Sequence, residues 1–314
     1  MSAITVVTPC YNSRRFIHDA VASVRRQDIN DWEHILVDDG STDGTAELLD
    51  EFSREDPRTK VLRQANAGTC RARNLGASSS SPDTRYLLFL DHDDMLEPNA
   101  LRLLSEYLEA RPDVCVAACQ FQEINLEGKA VGSKTRSRWV PSLFGLPRPL
   151  RANEYETPFA VFYCGTGQGP FAMFRRSVFE DVGGWTTEFW PHEDTDLFCK
   201  MALAGKVHYL PQRLYRKRVH GDNALNDQER LTRAYETFRK KWDEYQPRNE
   251  REAAVLREAD IFYRTSFRPF RHLRVGVKAL GEFIRRPKID KLRWTLHLFS
   301  CGIRDLVRYR LFPR

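Results

Sequence analysis

A chain of 314 residues with 41% hydrophobic content and a formal net charge of +6 can bury one sizeable α/β core with a smaller appendage. Its seven cysteines, an odd number with no CxxC pair, argue for reduced thiols and against a disulfide framework or a zinc site. No apolar run approaches the roughly 20 residues that span a bilayer, and the chain opens almost at once on a strand instead of a leader, so its expected place is the cytoplasm.

Ile4-Thr5-Val6-Val7 is a short β-branched strand that runs into Thr8-Pro9-Cys10-Tyr11-Asn12. A helix follows, with Asn12 or Ser13 as its cap and Phe16, Ile17, Ala20, Val21 and Val24 on one face at the 3.6-residue period. A second strand, His34 to Val37, empties into Asp38-Asp39-Gly40-Ser41-Thr42-Asp43-Gly44, and the next helix carries Leu48, Leu49 and Phe52. A third strand at Lys60 to Leu62 leads through Asn66-Ala67-Gly68 to a short helix with Arg71, Arg73 and Asn74. The fourth strand, Tyr86 to Leu90, ends at Asp91-His92-Asp93-Asp94, and Pro98 opens a helix with Leu101, Leu104 and Leu108 on one side. Strand, polar loop and helix, four times over, predict a mostly parallel sheet wound by right-handed crossovers, with the polar loops on one edge.

Ligands bind at that edge in open α/β sheets. Three carboxylates there suit a hard divalent cation that shares its coordination sphere with phosphate. The same acids also suit a solvated turn capping the next helix. There is neither a GxxxxGK[ST] loop nor a GxGxxG turn, which excludes a P-loop or dinucleotide site and leaves phosphate charge to be met by metal. Asp39 or Asp38 can accept the imide N–H of uracil. Tyr11 can lie against a base, and Pro9 can fix its loop. Further on, Cys164 to Pro170 is glycine-rich, and Gly183-Gly184-Trp185 and Phe189-Trp190-Pro191-His192 bring aromatic faces, which suit sugar rings, beside Glu193-Asp194. A helix from Asp194 through Leu197, Phe198, Met201 and Ala202, with Gly205 at C′, puts that carboxylate pair at a helix N-terminus, where the dipole favours ionisation.

Four of these strings, in order and at a familiar spacing, resemble the family 2 glycosyltransferases of the GT-A fold: Thr8 to Asn12, Val37 to Asp43, Asp91-His92-Asp93 as the DxD motif, and His192-Glu193-Asp194. The resemblance runs over roughly residues 3 to 223. It implies a Rossmann-like sheet flanked by helices and an inverting transfer of sugar from a nucleotide diphosphate donor to an acceptor hydroxyl. Carried onto this chain, it points to Asp39 for the base and to Arg73 for the ribose or diphosphate. Asp93 becomes the metal ligand, Asp91 the bridge between ribose and metal shell, and His92 a filler of the donor-side loop. His220, in Arg218-Val219-His220-Gly221-Asp222-Asn223, resembles a late position that closes over the diphosphate, and is a second ligand for Mn²⁺ or Mg²⁺. Asp194 becomes the base and Glu193 a neighbour that orients it or holds the acceptor, with Cys164 to Pro170 shaping the pocket; the aromatic faces of Trp185 and Trp190, with His192, suit the acceptor side.

The expected organisation is a catalytic domain over 1–225 and a helical extension over 226–314. From Arg264 to Arg314 there are 14 Lys and Arg against three Asp and Glu, a net charge of +11. Leu292, Leu296, Phe299, Ile303 and Leu306 recur there at helical spacing among cationic flanks, which suits an anionic membrane surface, or packing on the catalytic domain with a solvated basic face. No nucleic-acid motif accompanies the charge. The partners expected are a UDP-sugar and a glycan or lipid-linked glycan. Alternatives are a polyprenyl-phosphate glycosyltransferase and an inactive nucleotide-sugar binding protein.

Overall fold

A computed structural model gives the fold and describes residues 3–131, 149–151, 154–156, 159, 162, 171–220 and 228–263, with the single positions 296, 300 and 303. The first half alternates as β1 (Ile4–Cys10), α1 (Ile17–Arg25), β2 (Trp32–Asp38), α2 (Thr45–Glu55), β3 (Thr59–Arg63), α3 (Thr69–Ser78) and β4 (Tyr86–Phe89). There follow β5 (Met95–Leu96), α4 (Ala100–Glu109), β6 (Val114–Ile124), β7 (Pro149–Arg151), β8 (Glu154–Glu156) and β9 (Ala172–Arg175). The described chain closes with α5 (Arg176–Asp181), α6 (Glu193–Ala204), β10 (Lys206–Arg218), α7 (Gln228–Asp243) and α8 (Glu250–Phe262).

The strands form one sheet in the order β3-β2-β1-β4-β9-β6-β10-β8-β7, with β5 paired to β10. β1 runs parallel to β2 and β4, and β2 to β3, as the alternating pattern predicts, and β6 runs parallel to β10. β9 departs from it by entering between β4 and β6 antiparallel to both. Its apolar run marks a buried strand, but hydrophobic periodicity carries no direction.

β1 and β2 are buried along their whole length, the mark of central parallel strands covered on both faces. On one face Val7, Ile35, Val37, Leu87 and Phe89 meet α3, α5 and α6, and on the other Val6, Leu36 and Leu88 meet α1 and α4. Gly76 lets α3 lie directly on β1, since a Cβ there would come within 2.3 Å of Val7 Cγ1. That close approach holds Arg73 and Asn74, one turn earlier, over the loop edge of the sheet.

Two local expectations are corrected. α1 begins at Ile17 behind Phe16 with no side-chain cap, because Asn12, at φ 47°, instead accepts the Thr42 amide on Oδ1 at 2.9 Å. Gly205 ends α6 in extended backbone (φ −162°) and not in the left-handed C′ conformation. Its lack of a side chain is used against Cys115, whose Sγ would lie 3.0 Å from a Cβ.

The helices after residue 226 begin on the same core. Phe238, Trp242 and Ala259 are buried with the residues of α6, and Asp196, wholly buried, accepts from Trp242 Nε1 at 3.0 Å and from Lys241 Nζ at 3.1 Å. The described cysteines, Cys10, Cys70, Cys115, Cys119 and Cys199, are all buried free thiols. Among the described residues no helix is long and apolar enough to cross a membrane.

Candidate active site

The carboxyl ends of β1, β2 and β4 open beside the N-terminus of α6, and the polar loops there are tied to one another before any ligand enters. Asp39 is buried, and its carboxylate accepts from Gln64 Nε2 (2.7 Å), Ala67 N (2.8 Å) and Gly68 N (2.9 Å). It therefore shapes the crevice wall, with one lone pair left of the four a carboxylate offers. Asp38 Oδ1 accepts the Ser41 amide at 3.0 Å and turns the same loop. Tyr11 stands out from the end of β1, 48% exposed. Pro9 is buried inside β1, in register with Val37 of β2, so it shapes the exit to the loop and offers no surface of its own to a base.

At the end of β4, Asp91 Oδ1 accepts from Arg73 Nη2 at 2.6 Å. Burial pushes the Asp91 carboxyl up, but the Arg73 guanidinium outweighs it and holds it below the usual carboxylate range. His92 lies partly exposed next in the loop. Asp93 Oδ2 meets His220 Nε2 at 2.8 Å, and the His220 ring stacks 5.8 Å from Phe16. Asp94 turns inward instead. Its Oδ1 accepts the Arg218 amide at 2.7 Å, and burial, with Asp93 and Asp91 nearby, pushes its carboxyl well above the usual range.

Sequence reasoning missed what holds this loop. The Arg218 side chain is fully buried and donates to Asp93 O (2.9 Å), Asn125 O (3.1 Å), Leu126 O (2.6 Å) and Asp19 Oδ2 (2.7 Å). It lies two residues before His220, so one strand end supplies both the clamp and the imidazole.

On the acceptor side, the His192 backbone (φ 84°) turns the chain into α6. Glu193 is buried and lies 3.6 Å from Arg73 Nη1. Burial, with Asp194 beside it, pushes the Glu193 carboxyl up to about 7, against the pull of Arg73. Desolvation thus outweighs the helix dipole at this residue, contrary to the expectation of two ionised acids. Asp194 is half-buried and accepts from Thr195 N at 2.6 Å. Asn74 exchanges two hydrogen bonds with the Trp185 backbone, at 2.8 and 2.9 Å, which joins α3 to the turn before α6.

Trp185 is corrected from acceptor face to core. It is 2% exposed, packs against Phe89 and Phe174, and carries the Arg73 guanidinium 4.5 Å above its ring. Trp190 is half-buried under Arg230, and His192 stacks on Phe238, so α7 borders both. The glycine-rich Cys164 to Pro170 stretch lies outside the described residues.

Among the described residues no group of three or more His, Cys, Asp or Glu side chains is gathered to hold a metal. The Asp93 and His220 donors, 2.8 Å apart and partly exposed, nevertheless fit an ion that takes few protein ligands and completes its sphere with phosphate and water, the usual habit of Mg²⁺ in nucleotide sites.

A family model described as glycosyl transferase family 2 matches residues 5–183. The chain is 28% identical over 221 residues to the chondroitin synthase of Pasteurella multocida, an overlap of 70% of this chain and 21% of that one. It thus spans about a fifth of that relative's length. S. aureus TarS 1–349 in complex with UDP-GlcNAc superposes with a TM-score of 0.63 at 18% identity, over 98% of this chain and 82% of that one. Mannosyltransferase PcManGT from Pyrobaculum calidifontis, in complex with GDP-Man and Mn²⁺, gives 0.60 at 16%, over 99% and 86%. At such identities the structural likeness speaks for the fold alone. A strand-end crevice with its acids in this order, on this sheet, and a family model spanning more than half of the residues make the chain a member of glycosyl transferase family 2 with the GT-A fold.

Proposed function

We propose that this protein moves a sugar from a UDP-sugar to a hydroxyl of a glycan or lipid-linked glycan, inverting the anomeric carbon, in the synthesis of a cell-surface polysaccharide. The observation that carries the reading is the meeting of two carboxylate sites in one crevice, with Arg73 reaching Asp91 on one side and Glu193 on the other. The TarS complex with UDP-GlcNAc supports UDP as the nucleotide.

In this reading Tyr11 lies against the uracil, the free lone pair of Asp39 accepts its imide N–H, and Arg73 and Asp91 face the ribose and diphosphate. Trp190 and His192 border the acceptor. Asp194 accepts the acceptor's hydroxyl proton as the new C–O bond forms at the anomeric carbon and the bond to the diphosphate breaks, its electron pair leaving with UDP. Asp93 and His220, with Asp91 beside them, would hold Mn²⁺ or Mg²⁺, and the ion would neutralise charge on the departing diphosphate. Calorimetry with UDP and GDP tests the donor half. UDP should bind more tightly than GDP, Mn²⁺ should strengthen UDP binding, and Asp93→Ala should remove that gain with the fold intact. An undiminished Mn²⁺ effect in the variant would reject the assignment of Asp93.

The basic C-terminal stretch is proposed to contact an anionic membrane, which would place the enzyme on the inner face of the cell membrane. Most of it lies outside the described residues. Its composition, and Leu296 and Ile303 at 59% and 56% exposure seven residues apart, support this. The full chain should float with anionic vesicles and be released by salt, since screening shortens electrostatic reach to about 8 Å near physiological ionic strength. A chain ending at residue 263 should stay behind. Flotation of that shorter chain would put the contact elsewhere.

A further inference from the structure

We propose that Arg73 is a positioning residue for the acceptor-side acid, a single buried guanidinium shared between Asp91 and Glu193 so that it sets the charge Glu193 carries in the crevice. Arg73 is 3% exposed and lies flat over the Trp185 ring at 4.5 Å. Nη2 donates to Asp91 at 2.6 Å, while Nη1 reaches Glu193 Oε1 at 3.6 Å without completing a hydrogen bond. Glu193 Oε2 and Arg73 Nε are likewise buried without a hydrogen-bond partner. One cation thus serves two carboxylates at unequal distances, and the more distant one bears the cost of burial.

The groups facing Glu193 define what can move its charge. From α3 come Arg73 and Cys70, from the loop after β4 comes Asp91, and Asp194 is its neighbour on α6. Burial pushes the Cys70 thiol up to about 12, so it stays neutral across the working range. Burial, Asp194 and Asp91 push Glu193 upward, and Arg73, helped by the residue's own backbone amide, pulls it down. An opposite charge within about 4 to 6 Å lowers a carboxyl by about 1 to 3 pH units. Without Arg73 the Glu193 carboxyl would therefore stay protonated to higher pH, able to donate to its neighbour but unable to hold a proton for it.

The test uses the full chain and two readouts, of which only the second rests on the functional reading above. The first is stability against pH. Glu193 is raised from an ordinary value of 4.5 to about 7, so the stability it contributes is complete below 4.5 and is lost as pH rises through about 7. Arg73→Gln should displace that loss upward by about one pH unit or more, Arg73→Lys should largely restore it, and Glu193→Gln should abolish it. Arg73 also holds Asp91 below its usual range, so Asp91 rises in Arg73→Gln as well, and the double variant Arg73→Gln, Glu193→Gln separates the two: a displacement that survives there belongs to Asp91 and overturns the proposal. The second readout is donor turnover at saturating donor, where Arg73→Gln should move the acid limb of kcat upward by the same amount, separately from the rise in donor KM that follows from the place of Arg73 against the diphosphate. If Arg73→Gln does not fold at neutral pH, it should fold at pH 5 to 6 or when combined with Glu193→Gln, and failure of both overturns the proposal. A stability curve unchanged by Arg73→Gln also overturns it. A displaced curve in a protein that turns over no donor would keep the inference and reject the functional reading.

Discussion

Asp194→Asn should lower kcat by about 10² to 10⁴ while leaving donor KM nearly unchanged, the range that a positioned general base contributes. The amide has the shape of the carboxylate and can still accept from Thr195 N, as Asp194 does at 2.6 Å, so α6 keeps its start. What it loses is the ability to take the acceptor's proton as the anomeric bond forms. Glu193 is a poor substitute, because burial and Asp194 raise its carboxyl to about 7, which leaves much of it protonated at neutral pH. Steady-state kinetics on one saturating donor decides the matter, and wild-type turnover in the variant would transfer the role away from Asp194.

Arg218→Met should be strongly destabilising, by about 3 kcal/mol, at about 1 kcal/mol for each of the three carbonyls that the guanidinium bonds. Three backbone carbonyls of a partly buried loop edge, Asp93 O, Asn125 O and Leu126 O, lose their donor, and each polar group left without its partner there carries a desolvation penalty. The Asp19 partner is half exposed and returns to water at little cost. Because the same side chain fixes the Asp93 backbone, the fraction that still folds should also lose the pairing of Asp93 with His220 and hence its Mn²⁺-assisted UDP binding. Denaturant unfolding measures the first effect and calorimetry the second. Arg85→Met, which removes an exposed pair with Glu109, serves as a control that should leave the midpoint in place.

Much of the donor half is legible in the chain because it is local. Each strand, its polar exit and the next helix lie within about thirty residues; β1 and β2 are buried along their whole length and α4 on the face that its 3.6-residue period marks. The nearness of Asp93 to His220, 127 residues apart, came from motif order and not from periodicity. What was hidden is set by long-range contact. Arg218 looks like one more cation in Arg216-Lys217-Arg218 until the fold surrounds it with carbonyls. Trp185 has the composition of a sugar platform, yet Asn74 and the aromatic cluster of Phe89 and Phe174 draw it inward. Asp39 stands in the expected loop, but its three hydrogen bonds come from residues 64 to 68, a partnership that local sequence does not advertise.

The central claim is that this crevice transfers sugar from a UDP-linked donor. Incubating the full chain with a panel of UDP- and GDP-sugars and Mn²⁺, and following release of free nucleoside diphosphate, tests it most directly. The account predicts release of UDP from at least one UDP-sugar, stopped by chelation of the metal and cut by about a hundredfold or more in Asp194→Asn. Release of GDP alone would contradict the nucleotide assignment, and release of no nucleotide by a folded protein that still binds UDP would contradict catalysis itself.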